Sequence, residues 1–283
     1  TGVRRLLDLF ETYDVEATLF VIGRDVAFDA HRDLLEEAVE AGHELGNHSY
    51  SHHYDLPQRP RETIEEELAR GEDAIARVTG TRPTGFRAPG YNLNEDLLEV
   101  VADRGYHYDS SILPCPAYYL AKATVMLARR MKGSPSRSAM TPLMNNFAPL
   151  GPYTPSLRSV WRRGDDDRIP LEIPMAVIPP IRFPVIGTSL HLMGASGFDA
   201  TFGLLSRRYR RLFQLEFHAI DFMDATDPGV EELTKHQPDL RIPWSEKREL
   251  YIHVFDRLSE NYDFVTLDTA VSAYDQARTP GIG

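Results

Sequence analysis

The chain has 283 residues, 42% of them hydrophobic and 26% charged, with a net charge of −11. That balance excludes wholesale disorder and collagen-like order, and the acidity argues against a nucleic-acid binder, because a phosphate backbone selects a basic face. A single cysteine, Cys115, excludes an intrachain disulfide framework and any cysteine-rich zinc or iron–sulfur site.

Thr1 leads directly into helical periodicity at Val3, Leu6, Leu7 and Phe10. So abrupt an opening reads as the start of a fragment, so the lack of a leader leaves the compartment open: cytoplasmic, membrane-associated or exported. Residues 3–13 predict an amphipathic helix. The apolar run 17–22 (ATLFVI) is of strand type. Residues 30–41 predict a helix rich in acids, closed by Gly42, and 44–47 a short strand. Residues 61–79 predict a long helix with i,i+4 charge pairs such as Glu66–Arg70, ended by Gly80. Residues 85–88 are strand-like, 94–104 predict a helix closed by Gly105, and 106–108 begin another strand. Strand, helix, strand at this spacing predicts parallel β/α units.

The pattern stops at residue 112. Residues 112–164 contain no Asp or Glu and eight basic residues: Lys122, Arg129, Arg130, Lys132, Arg137, Arg158, Arg162 and Arg163. A helix is expected over 117–131, followed by a loop rich in Pro, Ser and Asn. The segment reads as a basic insertion into one β/α domain spanning 1–283. Alternation then resumes, with strands expected at 170–175, 213–217 and 263–267 and helices at 199–211, 245–261 and 268–278. The apolar stretch 175–198 is interrupted by Pro179, Pro180, Arg182 and Pro184, so no transmembrane helix is expected.

Four short motifs carry the chemistry. Within GHELGNHSYSHH (42–53), His48 and His52 are spaced i,i+4, which on a helical turn puts two imidazoles on one face, near enough to share a metal. A plain cluster of surface-loop histidines has the same composition. In FRAPGY (86–91), Arg87 can orient a carboxylate, and the Pro-Gly turn can offer backbone N–H groups to an oxyanion; an ordinary β-turn reads the same way. In YDSS (108–111), Asp109 is a candidate acid or a helix cap. His218 closes the run LEFH (215–218) at a strand's C-terminal end, where β/α barrels place catalytic groups, or it is a capped structural histidine.

Taken together and in that order, GHELGNHSYSH, FRAPGY, YDSS and LEFH resemble the polysaccharide deacetylases of the NodB-homology class, carbohydrate esterase family four. The resemblance covers roughly residues 1–111 and resumes from about 169. It implies an α/β fold, a distorted (β/α) barrel of seven to eight strands. It implies that His48 and His52 bind a divalent metal, usually Zn²⁺, that Arg87 orients the catalytic base, and that the Gly90 N–H helps stabilise the oxyanion. His218 would protonate the leaving amine, with Asp109 beside it raising its pKa. The family's first motif, Thr-Phe-Asp-Asp or a close variant, supplies the base and the third metal ligand. It is absent here. The barrel is therefore expected to lack its first strand, and the chain as it stands to be inactive or nearly so.

The implied reaction is metal-dependent hydrolysis of the N-acetyl group of an amino sugar, in a glycan or on a lipid carrier, releasing acetate. The basic insertion is expected to leave the barrel at the same end as His48, Arg87 and His218. Its helix, with Tyr118, Tyr119, Leu120, Val125, Met126, Leu127 and Met131 among the cations, has the composition of an interfacial element. That makes an anionic membrane surface or an anionic glycan a candidate partner, level with a packed lobe that has a solvated basic rim. Two rivals stay open: a non-catalytic glycan- or partner-binding barrel, and a hydrolase of a small non-peptide amide.

Overall fold

The computed structural model describes residues 1–131, 133 and 139–278. Helix α1 (Gly2–Thr12) buries Leu6, Leu7, Leu9 and Phe10, the stripe that the periodicity marks. Each such side chain taken from water stabilises the fold by about 1.5–3 kcal/mol. There follow β1 (Thr18–Val21), α2 (Asp29–Glu40), β2 (Glu44–Asn47), α3 (Arg61–Thr79), β3 (Gly85–Phe86), α4 (Glu95–Asp103) and β4 (Tyr108–Asp109), close to the expected bounds. Gly80 ends α3 in the left-handed conformation, φ 74°, which costs a glycine little. Asn94 caps α4 by accepting from the Leu97 N–H at 2.9 Å.

The basic segment begins with α5 (Pro116–Met131) and returns through a hairpin, β5 (Pro155–Ser156) and β6 (Ser159–Arg163). The loop expected after α5 lies partly outside the described residues. Strand β7 (Leu171–Glu172) comes next, then a second hairpin of β8 (Val177–Ile178) and β9 (Phe183–Pro184), followed by α6 (Gly187–Arg208), α7 (Trp244–Ser259) and α8 (Leu267–Arg278). Strands β1, β2, β3, β4 and β7 make one sheet in that order, every pair parallel. One row of the register runs Val21, Asn47, Phe86, Asp109, Glu172 across all five. The residues that follow this row therefore leave the sheet side by side, and among them are His48, Arg87 and Ser110.

Three expectations are corrected. Helix α6 starts at Gly187 rather than at residue 199, with an interruption at Gly194 (φ 62°, ψ 178°); glycines 194 and 197 mask the helical signal there because glycine is a poor helix former. Residues 213–217 and 263–267 are not strands. The backbone of the first segment pairs along one edge, through Ala176 N–H to Gln214 O (3.3 Å), Gly187 N–H to Glu216 O (2.8 Å) and a parallel bridge from Ile186 to Glu216. Among the described residues the sheet has five strands, and closure into the expected barrel is not seen. Strand β1 is its open edge, and a groove of about 910 Å³ separates it from both irregular segments, lined by Leu19, Phe20, Leu215, Phe217, Phe264 and Leu267 among others. A ladder needs a neighbour on the facing edge, and across this groove neither segment has one.

The two largest apolar clusters join the helices to the rest of the fold. One packs α1 against α6 and α7 through Leu6, Phe10, Phe198, Leu205, Tyr251 and Phe255. The other packs α3 and α4 with the returning basic segment through Leu68, Leu97, Ile112, Tyr153 and Val160. Among the described residues no helix is long and apolar enough to cross a membrane.

Candidate active site

The two imidazoles converge, though not on a helix. His48 leaves β2 with its N–H on Val21 O at 3.0 Å. The chain then turns through Ser49 (φ 61°) and His52 (φ 56°), both left-handed, and the Ser49 hydroxyl accepts from the His52 N–H at 3.0 Å. The i,i+4 pair therefore meets across a tight loop, with ring centroids 4.9 Å apart and edge to face. Non-glycine residues in this conformation store strain and concentrate at functional sites.

Tautomer and charge favour metal binding. His48 Nδ1 lies 2.7 Å from Arg87 O. A carbonyl only accepts, so Nδ1 carries the proton and Nε2 keeps its lone pair, the arrangement usual for a ligating imidazole. Burial lowers the His48 pKa to about 3 and also lowers that of His52. Both rings are neutral at pH 7, as a metal ligand must be. Among the described residues, no three His, Cys, Asp or Glu side chains form a group that could hold a metal. The donor set on this chain is thus two imidazoles, which fit a borderline divalent ion but do not fill its shell.

Arg87 is buried and anchored by three hydrogen bonds. Its Nε donates to Ser110 O (2.8 Å), Nη2 to Ser110 Oγ (2.9 Å) and Nη1 to Glu216 Oε1 (2.9 Å). The guanidinium carbon stands 4.2 Å from the Phe20 ring centroid. The other Glu216 oxygen accepts from Tyr91 Oη at 2.6 Å. Arg87 and Glu216 border both the groove beside β1 and a second pocket of about 660 Å³, which also holds His48, His52, Gly90 and His218. Gly90 has φ 66°, and a Cβ there would lie 2.6 Å from the Tyr54 ring, so this wall of the pocket needs glycine twice over.

His218 takes a carboxylate partner other than the expected one. Its Nδ1 lies 3.8 Å from Asp221 Oδ2, and that oxygen accepts the His218 backbone N–H at 2.7 Å. The Asp221 carboxylate leads in raising the His218 pKa to about 8, and Glu216 adds to it. Asp109 serves elsewhere. It is fully buried between β3 and β7, where its Oδ1 accepts from Ser111 Oγ (2.5 Å), and that hydroxyl accepts the Ala88 N–H (2.8 Å). The described contacts thus pair His218 with Asp221 rather than with the expected Asp109, which is fully buried. Burial raises the Asp109 pKa to about 6. Neighbouring Glu172 is pushed well up by burial and by the Asp109 charge. One proton shared by the two relieves their repulsion.

Sequence reasoning passed over Glu216, Tyr91 and Asp221. Glu216 shares the inward face of LEFH with His218, two residues on, and Asp221 stands at i+3 from it, a spacing that a capping turn uses. The assignment has a direct check. In a ¹H–¹⁵N titration, His218 is expected to titrate near pH 8. Asp221→Asn should lower that value and Asp109→Asn leave it in place; the reverse pattern would return the role to Asp109.

Residues 1–108 match the family model of the polysaccharide deacetylases, in accord with the resemblance of the motifs. The peptidoglycan deacetylase of Helicobacter pylori is 32% identical over 112 residues, 40% of this chain and 37% of that protein; the chain thus spans little more than a third of that relative. Over 99% of its length the fold resembles a crystal structure from Mycobacterium smegmatis described as a polysaccharide deacetylase, with a TM-score of 0.59, 17% identity and 78% of that chain covered. It also resembles Puue allantoinase, with a TM-score of 0.57, 14% identity, 99% of this chain and 74% of the other. At these identities the likeness is one of fold: α/β, with a parallel sheet.

Proposed function

We propose that this chain, with its polysaccharide deacetylase match over residues 1–108, carries the site of a metal-dependent N-deacetylase. The reaction is hydrolysis of the N-acetyl group of an amino sugar, in a glycan or on a lipid carrier, releasing acetate. One observation carries the reading: two neutral imidazoles with centroids 4.9 Å apart share a pocket with a third imidazole whose pKa is raised to about 8. Groups whose environments push their pKa values apart mark the division between ligand or base and acid.

His48 and His52 would hold the divalent metal, most readily Zn²⁺, which when bound supplies Lewis acidity and an acidified water. The remaining work belongs to the chain. The Gly90 N–H is the candidate donor to the oxyanion, and removal of one such donor typically costs about 2.7–4 kcal/mol. The leaving group is an amine and must be protonated as the C–N bond breaks. His218 is protonated at pH 7 and can deliver that proton at nitrogen. Asp221 keeps the ring charged. Asp109 acts as a pin: through Ser111 it fixes the Ala88 N–H and with it the Arg87–Gly90 loop.

The pocket holds no uncommitted carboxylate among its described residues. Glu216 is tied to Arg87 and Tyr91, and Asp221 to His218 and Thr188. The groove beside β1 is suited to supplying one. It presents the open edge of a parallel strand, an apolar lining, and Arg87 where groove meets pocket. We propose that it accepts one further strand of the Thr-Phe-Asp-Asp kind, bringing carboxylates to Arg87. The test is acetate release by the strand-completed chain from N-acetylated chitin and peptidoglycan oligosaccharides, with a cyclic ureide as comparison. Acetate from the sugars supports the reading. Turnover of the ureide alone, or of nothing with strand and metal both bound, would overturn it.

A further inference from the structure

We infer that α5 and the turns packed around it form a docking surface for an anionic lipid bilayer, placed so that the membrane faces the mouth of the pocket. Resting on the deacetylase reading, this names the substrate as an amino sugar presented from that membrane.

Helix α5 is the anomaly that carries the argument. It contains Tyr118, Tyr119, Leu120, Val125, Met126, Leu127 and Met131, yet none of its described side chains is buried. A helix this apolar is ordinarily covered by protein or lipid. Leu120, Leu127 and Met131 fall at i, i+7 and i+11, one stripe along the helix, and they are 64%, 59% and 81% exposed. The opposite side is anchored. Tyr118 packs beside Tyr91, and Lys122 Nζ donates to Gly90 O at 3.2 Å.

The stripe is continued by other elements. Helix α5 packs against the 3₁₀ turn Leu143–Phe147 and against β9. That turn exposes Leu143, Met144 and Phe147, and the turn of the β8–β9 hairpin exposes Ile181. Arg182 ties the two turns together, donating from Nη1 to Asn146 O (3.0 Å) and Ala148 O (2.9 Å). Beyond them α6 exposes Leu192, which lines the catalytic pocket together with Tyr118 and Ala121 of α5. Of these segments, α5, the β8–β9 hairpin and α6 reach the pocket itself, through Tyr118, Phe183 and Leu192. Soluble chains rarely expose a cluster of this kind without a partner for it.

Charge selects the partner. Residues 112–164 carry eight cations and no acid, in a chain whose net charge is −11. In the sequence the aliphatic residues of this segment are interspersed with cations, a composition that suits insertion into a bilayer that carries anionic headgroups. A second copy of the chain seated on this face would stop the mouth that substrate must enter, whereas a bilayer leaves a lipid-borne sugar headgroup pointing into it.

The test is co-sedimentation of the 283-residue chain with vesicles of phosphatidylcholine alone and with a third phosphatidylglycerol, at low and high salt. Tight binding to the anionic vesicles only, weakened by salt, is expected. The double variant Leu120→Ser/Leu127→Ser and, separately, Ile181→Ser should each weaken it by about tenfold or more. Both remove exposed side chains, so thermal melting should stay put, and Ile181 tests the surface without touching α5. His48→Ala should bind vesicles like the unaltered chain, which separates the surface from the chemistry: vesicle binding can stand if deacetylation fails, and the converse. Equal, salt-insensitive binding to both vesicles, or variants that bind as before, would overturn the proposal. So would a dimer in light scattering that Leu120→Ser/Leu127→Ser dissociates, with no vesicle binding, since that makes the face a self-association surface.

Discussion

A strand ending in Thr-Phe-Asp-Asp, added as a peptide or fused ahead of Thr1, is expected to raise N-deacetylation by this chain about 10²–10⁴-fold, the usual contribution of a positioned general base. The argument runs from the open edge of β1 inward. Parallel strands sit about 4.8 Å apart, and the groove of about 910 Å³ beside β1 has backbone on both flanks and Leu19, Phe20, Leu215 and Phe217 along it. A strand seated there with its C-terminal end level with Asn47 and Phe86 would end beside Arg87. The guanidinium now shared between Glu216 and Ser110 would then have a second carboxylate to hold. Acetate release measured against peptide concentration should saturate. A peptide with both Asp replaced by Asn should compete for the groove and give no rate. Equal rates from the two peptides would remove the carboxylate from the mechanism.

In the strand-completed chain, His218→Ala is expected to lower kcat by about 10²–10⁴-fold and leave metal content unchanged. His218 acts while protonated, and its pKa is raised to about 8, chiefly by the Asp221 carboxylate. The sign follows: activity is present below that value and falls as pH rises through it. Asp221→Asn should bring the falling limb to lower pH, since burial, which lowers this pKa, then acts with less opposition. Asp109→Asn should leave the limb where it is, and affect activity only by loosening the Arg87–Gly90 loop. A basic limb unmoved by Asp221→Asn would mean that another group is the acid.

The β/α units of the first hundred residues are legible in the sequence because each carries two independent signals. Amphipathic spacing marks the helices, and Gly42, Gly80 and Gly105 stop them, all three with positive φ. Residues 213–217 and 263–267 show the limit of that reading. Alternation in FQLEF reports burial of one face, Gln214 and Glu216 included, but a strand also needs a partner along its edge, and pattern carries no record of a neighbour. The meeting of His48 and His52 was legible from spacing, while the loop that achieves it was not: its two left-handed residues are Ser and His, which announce no turn as glycine would. The exchange of Asp109 for Asp221 has the same origin. Asp109 stands in a motif and Asp221 does not, and only the sheet register shows Asp109 paired beside Glu172 in the buried sheet.

The most direct test of the central claim is calorimetric titration of the 283-residue chain with Zn²⁺, alongside His48→Ala, His52→Ala and His218→Ala. The account predicts one zinc per chain, weakly held by two imidazoles, absent from both ligand variants and retained in His218→Ala. Zinc binding that survives His48→Ala and His52→Ala, or that is lost only with His218, would contradict it.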